Sequence, residues 1–153
     1  MNSRQKCLQA LQKLRRIQEA DDNGYVKCIS CPHDSQKIHW KSSDGGHYIG
    51  RANRAMELEP ENIWPQCKHC NGPLEGNHMM YRFNLINRIG IERVERLEKM
   101  ALARDNPDLL LELSPEDREI VTHKMTDAEY NNLNNNLRRK INKLLSEKGI
   151  RHC

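Results

Sequence analysis

Apolar residues recur at helical spacing near the N-terminus and in the second half of the chain, but not between them. Near the N-terminus, four of them follow one another at three-residue steps with basic residues between: Leu8, Leu11, Leu14 and Ile17. This spacing predicts an amphipathic helix over residues 3–20 with Ser3 as its N-cap. Residues 25–81 are rich in Gly, His, Cys and Asn, so short strands and loops are expected there.

Helical periodicity returns from Asn77 onward. One predicted helix ends at Gly90 and has the apolar face Met80, Phe83, Leu85, Ile86 and Ile89. The next continues with Val94, Leu97 and Leu102 and stops before Asn106-Pro107. Ser114-Pro115 predicts another helix start, and Thr126 with Glu129 forms a capping box. The last helix has the stripe Leu133, Leu137, Ile141, Leu144 and Leu145.

The composition is that of a polar, slightly basic chain. It has 153 residues, 37% of them hydrophobic, and 25 Lys and Arg against 21 Asp and Glu, for a net charge of +4. The length suits one domain, or a small module with helical extensions. No apolar run is long enough for a transmembrane helix or a signal peptide, so a cytoplasmic protein without a membrane partner is expected.

Four of the six cysteines form two Cys-x-x-Cys pairs, Cys28 with Cys31 and Cys67 with Cys70. Two such pairs can supply the four thiolates of a tetrahedral structural Zn²⁺ site. The alternatives are a redox pair, which expects a βαβ pattern that is absent here, and unrelated thiols. Cys7 and Cys153 lie outside the pattern and are expected to be free thiols.

Between and after these pairs stand three further residues that suit phosphodiester hydrolysis: His47, Asn62 and Asn71. The order Cys-x-x-Cys, His, Asn, Cys-x-x-Cys, Asn is typical of the His-Me finger (HNH, ββα-metal) nucleases. There, a hairpin presents a histidine that acts as general base, and a following helix presents a metal ligand. Asn62 can bridge the hairpin loop and orient the imidazole. Taken singly, His47 is an ordinary histidine, Asn62 a turn residue and Asn71 a helix cap.

The chain resembles the phage NinG (Rap) recombination proteins over about residues 25–100. The resemblance rests on Cys28-Ile-Ser-Cys31, Trp40, Asp44-x-Gly-His47-Tyr48, Asn62-Ile63, Gln66-Cys67-x-x-Cys70-Asn71, Gly76-Asn77, Tyr81-Arg82 and Arg88-Ile89-Gly90. It implies a nuclease that acts on Holliday junctions and D-loops with a divalent metal. His47 is then the general base, Asn71 the Mg²⁺ ligand and the four paired cysteines the zinc ligands. The Cys-x-x-Cys-Asn knuckle is also similar to that of the endonuclease VII group, whose members are intertwined dimers.

The chain departs from these families in two places. Many His-Me nucleases carry an acidic residue or a histidine directly before the base, where this chain has Gly46; the second Mg²⁺ ligand is therefore left to Asp44 or Glu75. The long, lysine-rich N-terminal region of the lambda-type members is also missing. DNA affinity is then expected from other basic residues, among them Lys6, Lys13, Arg15, Arg16, Arg51, Arg54 and those within 138–143.

These observations predict an α+β fold, mainly α, with a zinc-stapled ββα-metal core flanked by N- and C-terminal helices. The predicted segments are an N-terminal helix (1–24), the nuclease core (25–90) and a helical region (91–153). Arg51 and Arg54 follow His47 closely enough to reach flanking phosphates, although they could equally be solvated loop charges. Trp40 and Tyr48 could stack on bases, but hairpin or core packing is expected instead.

The predicted function is endonucleolytic cleavage of branched DNA with Mg²⁺ or Mn²⁺ in the host cytoplasm. Two symmetric cuts favour a homodimer, and a recombinase or annealing protein is a possible partner. The apolar stripes of the first and last helices can form that dimer or pack within the chain. The competing hypotheses are a general HNH nuclease that cuts linear duplex and a non-catalytic zinc-finger DNA-binding module.

Overall fold

The computed structural model describes residues 1–150, and over these residues the chain adopts a mainly helical α+β fold. The helices and strands follow in the order α1 (Ser3–Glu19), β1 (Tyr25–Val26), β2 (Ile38–His39), β3 (Ser43–His47), β4 (Ile63–Cys67), α2 (Lys68–Asn71), α3 (His78–Ile89), α4 (Ile91–Ala103), α5 (Pro107–Glu112), α6 (Pro115–Thr122) and α7 (Asp127–Lys148). Strands β1 and β2 form one antiparallel pair, and β3 and β4 form another. Within the described part, no helix has the length and apolar character needed to cross a membrane.

Helices α1 and α7 lie side by side and run parallel. The Ser3 Oγ donates to Asp127 at 2.6 Å near their first residues, and the Lys148 Nζ donates to the Ala20 carbonyl at 2.6 Å near their last. Between these ends the predicted apolar stripes pack against one another in a shared cluster that includes Leu11, Leu14, Ile17, Leu137, Ile141 and Leu145. The stripes are therefore covered within the chain.

The cap of α1 differs from the prediction by one residue. Asn2, not Ser3, is the N-cap: its side chain accepts from the Gln5 backbone N–H at 2.9 Å, and the Gln5 side chain accepts from the Asn2 backbone N–H at 3.0 Å. This reciprocal pair satisfies two N–H groups at once. Ser3 is then the first helical residue, and its hydroxyl is free to contact α7.

The predicted caps of the later helices are confirmed. Ser114 caps α6, Thr126 opens α7 with a capping box, and Gly90 and Gly149 end α3 and α7. The short helix α5 was not predicted; Asn106 caps it by accepting from two backbone N–H groups.

The hairpin of β3 and β4 lies between two apolar clusters. Its strands pair from Ser43 opposite Cys67 to His47 opposite Ile63. Successive strand residues face opposite sides, so Ile63 joins the α1–α7 cluster while Trp64 joins a second cluster with helices α3 to α6. Apolar contacts thus cross the boundaries of the segments 1–24, 25–90 and 91–153, whose division stays a prediction.

The second cluster shows which face of α3 is buried. Tyr81 and Leu85, four residues apart, are fully buried, whereas Phe83 is 61% exposed. A residue two positions from each of them lies on the opposite side of a helix, so the predicted inward position of Phe83 was wrong. In α4 the predicted Val94 and Leu97 are buried, but Leu102 is 67% exposed.

Candidate functional site

The four paired cysteines converge beside the end of the β3–β4 hairpin. Cys28 and Cys31 lie in the loop after β1, Cys67 ends β4, and Cys70 lies in α2. All four sulfur atoms are within 4.8 Å of one another, and the Sγ of Cys31 is 3.7 Å from those of Cys67 and Cys70. A tetrahedral site with Zn–S bonds of about 2.3 Å has sulfur atoms about 3.8 Å apart. The cluster could therefore hold a metal ion such as zinc.

The electrostatics of the cluster also favour a cation. Burial raises the pKa of Cys31 well above its ordinary value, and burial raises the pKa of Cys70 to about 11. Without a cation the thiols of Cys31 and Cys70 stay protonated at neutral pH, because burial disfavours their charged forms. Burial also acts to raise the pKa of Cys67, but hydrogen bonds from the neighbouring cysteines outweigh it and lower that pKa. A divalent ion removes this penalty, so metal binding and thiol deprotonation are coupled.

His47 is the last residue of β3, and a backbone carbonyl fixes its ring. Its Nε2 lies 2.9 Å from the carbonyl oxygen of Glu57. A carbonyl oxygen only accepts hydrogen bonds, so Nε2 carries the proton and Nδ1 keeps its lone pair. Burial lowers the pKa of His47 below its ordinary value, and the charge of Arg51 acts in the same direction. The imidazole is therefore neutral near pH 7, with Nδ1 able to accept a proton.

Asn62 holds the loop that carries Glu57. It is fully buried, and its amide nitrogen donates to the carbonyls of Ile49 and Met56, both at 3.0 Å. Its amide oxygen accepts from the Ile49 N–H at 2.7 Å. These bonds tie the two ends of the hairpin loop together, so Asn62 positions the partner of His47 and does not itself bond to the imidazole in the described structure.

Asp44 and Asn71 meet across the hairpin and α2. The amide nitrogen of Asn71 donates to Asp44 Oδ2 at 3.0 Å, which leaves the amide oxygen of Asn71 free, and Lys68 pairs with the other carboxylate oxygen. Burial alone would raise the pKa of Asp44, but the hydrogen bonds from Lys68 and Asn71 outweigh it and lower the pKa. Asp44 is therefore a carboxylate at neutral pH.

Glu75 is not on a helix with Asn71. Helix α2 ends at Asn71, and Glu75 has a φ of 51° in the turn that follows. The four-residue spacing therefore does not place both side chains on one helical face. Glu75 nevertheless lines the same cleft as Asp44 and Asn71.

Steric crowding explains why a glycine, Gly46, stands directly before His47. A Cβ at Gly46 would lie 1.7 Å from the Oε1 of Gln66, which is fully buried and donates from Nε2 to the Ser30 Oγ and the Gly76 carbonyl, both at 2.8 Å. Any side chain at position 46 would collide with Gln66, so this chain has no room for a metal ligand directly before His47.

His47, Asp44 and Asn71 line one cleft of about 720 Å³. Arg51 lines it too, whereas Arg54 lines a different groove near Arg4. The cleft also contains residues that were not predicted as part of the site, notably Lys41, Lys68 and Gln12. In the sequence, each is only a basic or amide residue near a turn or on a helix, and such residues are too common to indicate a site.

Several residues considered for DNA contact are instead part of the packing. Trp40 and Tyr48 are buried, as expected. Arg15 is buried as well: its guanidinium lies 4.5 Å from the centre of the Trp64 ring and donates to the Ile63 carbonyl at 3.0 Å. Arg15 therefore joins α1 to β4 and is not free to bind a phosphate. Cys7 is a buried free thiol, and Cys153 lies outside the described residues.

Comparisons with known proteins place this chain beside one group of phage proteins. The family profile described as "Bacteriophage Lambda NinG protein" matches residues 2–107. Over 83 residues, the chain is 39% identical to "Protein ninG" of Escherichia phage 933W and 37% identical to the proteins of that name from Salmonella phage P22 and Escherichia phage lambda. Each match covers 54% of this chain and 38% of the relative, so the chain aligns with well under half of these relatives' length. No solved structure matches the chain.

Proposed function

The chain belongs to the NinG family, and on this premise we propose that it is a metal-dependent endonuclease that cuts branched DNA in phage homologous recombination. The observation that carries the proposal is the placement of a neutral imidazole, a carboxylate and an amide oxygen in one cleft, at His47, Asp44 and Asn71. Phosphodiester hydrolysis needs a general base and oxygen ligands for a divalent cation near the same phosphate.

The order of elements supports a ββα-metal core. Strands β3 and β4 pair as a hairpin, and α2 follows β4 directly. His47 ends the first strand of this unit and Asn71 ends its helix. The cysteine cluster, which would hold structural Zn²⁺, joins the loop after β1 to the end of β4 and to α2. Zinc would thus fix the helix that carries Asn71 relative to the hairpin.

His47 is proposed as the general base. Its Nδ1 takes a proton from the water that attacks the phosphate, while Nε2–H stays bonded to the Glu57 carbonyl. That carbonyl also stabilises the positive charge that forms on the ring. Asn62 acts through the loop that bears Glu57 and is therefore a positioning residue.

Asp44 and Asn71 are proposed as the ligands of the catalytic cation. A carboxylate and an amide oxygen are hard ligands of the kind that Mg²⁺ prefers, and Mn²⁺ accepts the same set. A cation bound there supplies charge stabilisation for the phosphate and the leaving oxygen. Asp44 is favoured over Glu75 because it directly contacts Asn71.

Arg51 is proposed to contact a phosphate beside the scissile one, since it lines the cleft with His47. Arg54 lines a separate groove, so its proposed phosphate contact needs DNA that extends beyond the cleft. We further propose that two copies act together on a junction, because resolution needs two symmetric cuts. The α1 and α7 stripes are covered within the chain, so the dimer would use another surface. Host-cytoplasmic action, with a recombinase or annealing protein as partner, follows from the same premise.

The test is cleavage of a synthetic four-way junction, a D-loop and a linear duplex, with and without Mg²⁺. We expect His47→Ala to lower the cleavage rate about 10²- to 10⁴-fold, the usual contribution of a general base. Asn71→Ala should lower it as well, with partial recovery at higher Mg²⁺. His33→Ala, which changes an exposed histidine that does not line the cleft, is the matched control. Zinc content and circular dichroism confirm that each variant is folded.

The outcomes separate the competing functions. Mg²⁺-dependent cutting of branched DNA that is lost in the two site variants supports the proposal. Equal cutting of linear duplex indicates a general HNH nuclease instead. Tight DNA binding without cutting, over a range of divalent metals, indicates a non-catalytic zinc-finger module.

A further inference from the structure

A second groove adjoins the cleft and runs between α1 and α7. It has a volume of about 830 Å³ and includes residues of both helices. Gln9 and Lys13 of α1 line both the groove and the cleft that contains His47. A linear polymer that lies in the cleft can therefore continue past these two side chains into the groove.

The polar side chains that line the groove are all cationic or amide, beside three apolar residues, Met1, Ala10 and Ile141. Its charged side chains are Lys6 and Lys13 from α1 and Arg138 from α7, and most of the others are amides. No carboxylate of the described residues lines it, although the chain contains 21 acidic residues. Cationic and amide N–H groups are the donors that proteins use for the phosphate oxygens of nucleic acids. The groove is thus complementary to a phosphodiester backbone.

The spacing of these residues fits a linear ligand. Lys6, Gln9 and Lys13 recur at three- and four-residue steps, which places them on one face of α1. On α7 the lining runs from Asn131 through Arg138 to Asn142 at similar steps. With a rise of 1.5 Å per residue, this part of α7 is about 17 Å long. At about 3.4 Å per nucleotide of one strand, the groove spans about five phosphates.

We propose that the α1–α7 groove binds the phosphate backbone of the DNA strand that leaves the His47 cleft. The proposal rests on the proposed function, because it takes DNA as the occupant of the cleft. It assigns the helix pair a role in holding one arm of the substrate without reading its sequence. The shared residues Gln9 and Lys13 mark the point where the strand crosses from one surface to the other.

The test compares two triple variants of the full chain that lose the same charge. The groove variant is Lys6→Gln, Lys13→Gln and Arg138→Gln. The control variant is Arg139→Gln, Lys140→Gln and Lys143→Gln, which changes exposed residues of α7 that do not line the groove. Binding to a fluorescent four-way junction is measured without added Mg²⁺ and without a chelator, from 50 to 200 mM salt. No cleavage is then expected, and the cysteine cluster keeps any metal that it holds.

The groove variant is expected to bind about tenfold or more weakly at 100 mM salt. Each lost phosphate contact lowers the slope of log K against log salt by about 0.9, so the slope should fall by about 2 to 3. The control variant should change affinity less than about threefold, because only Arg138 of the basic residues within 138–143 lines the groove. Unfolding temperature and zinc content show that both variants keep the wild-type fold.

Equal weakening in both variants, or unchanged binding in the groove variant, would overturn the proposal. Cleavage of the same junction in Mg²⁺ keeps the two proposals apart. If the wild type cuts but the groove variant binds normally, the groove proposal fails and the nuclease proposal stands. If the wild type does not cut, yet the groove variant alone loses affinity, the nuclease proposal fails and the groove is supported as a DNA-binding surface.

Discussion

The helix pair α1–α7 and the segment 25–76, which carries the candidate site, are held together by different forces. The two helices meet through apolar stripes that include Leu11, Ile17 and Ile141. The segment contains short strands and the one-turn helix α2, and amide side chains and clustered thiols join its parts. Apolar packing tolerates small shifts, whereas hydrogen bonds and metal ligation fix atoms in place. We infer that the helix pair is the scaffold of the fold and that the segment 25–76 holds the atoms of the candidate site in fixed positions.

The segment buries polar side chains beside the apolar ones that it contributes to the two clusters. Asn62 and Gln66 are fully buried polar residues in the same hairpin that carries His47. Each makes at least two hydrogen bonds to distant backbone or side-chain groups. Buried amides stabilise a fold only while their partners stay in place. We therefore expect the segment to depend on the cysteine cluster far more than the helix pair does.

The largest expected effect follows disruption of the cysteine cluster, which could hold zinc. Cys28→Ser with Cys31→Ser, or exposure to a strong chelator, should unfold the segment 25–76 while much of the helical signal persists. Structural zinc sites contribute about 10 kcal/mol to folding in small zinc domains, more than this polar segment can replace. Zinc content and thermal unfolding by circular dichroism measure the effect. Cys7→Ala, a buried thiol outside the cluster, should retain the metal. An unchanged unfolding temperature after zinc loss would contradict the expectation that the segment 25–76 depends on the cysteine cluster more than the helix pair does.

The second largest effect concerns the contact between the two regions. Arg4 of α1 donates to the Glu57 carboxylate through Nε at 2.6 Å and Nη2 at 2.5 Å, and the Glu57 side chain is only 2% exposed. Arg4→Met leaves this buried carboxylate unpaired, which costs about 3 kcal/mol. Cleavage should fall as well, because the Glu57 carbonyl holds His47.

The control for Arg4 is Arg93→Met. Arg93 pairs with Glu61, but its side chain is 53% exposed, so the loss should be below about 1 kcal/mol. Chemical denaturation and single-turnover cleavage measure both quantities. Equal losses of stability in the two variants would show that the Arg4–Glu57 pair is an ordinary surface contact.

Local patterns predicted much of the fold. Ser114 and Thr126 each predict the start of a helix, because an N-cap depends on residues only three positions apart. The four cysteines that could hold zinc were equally predictable, because each Cys-x-x-Cys pair is a local motif. The Glu57 carbonyl that fixes His47 was not predictable, since every residue has a carbonyl and the contact spans ten positions of irregular loop. The same holds for Gln66, whose closeness to Gly46 depends on the strand register.

The pH dependence of cleavage probes the site without changing the scaffold. Because burial lowers the pKa of His47, the neutral base should persist below the ordinary value of about 6.5. The single-turnover rate should stay level down to about pH 6.5 and fall about tenfold per pH unit only further below. In the same window the unfolded chain binds more protons than the folded one, so acidification also lowers stability.

Arg51→Gln tests whether the acidic limb of the rate profile reports the pKa of His47. Arg51 contributes to the lowering of the His47 pKa, so its removal should move the acidic limb of the rate profile to higher pH. If the wild-type rate fell to half its maximum at a pH above 6.5, this would argue against His47 as a buried general base.

The smallest expected effect lies at the start of α7, far along the chain from the cysteine cluster. The Thr126 hydroxyl accepts from the Glu129 N–H at 3.2 Å, and the Glu129 carboxylate accepts from the Thr126 N–H at 2.8 Å. Thr126→Ala removes half of this box and should cost about 1 kcal/mol, whereas Thr126→Ser keeps the hydroxyl and most of the stability. Denaturant unfolding measures the loss, and zinc content and cleavage should not change. If Thr126→Ala did release zinc, the helix pair and the segment 25–76 would unfold as one cooperative unit, and the division between scaffold and site would not hold.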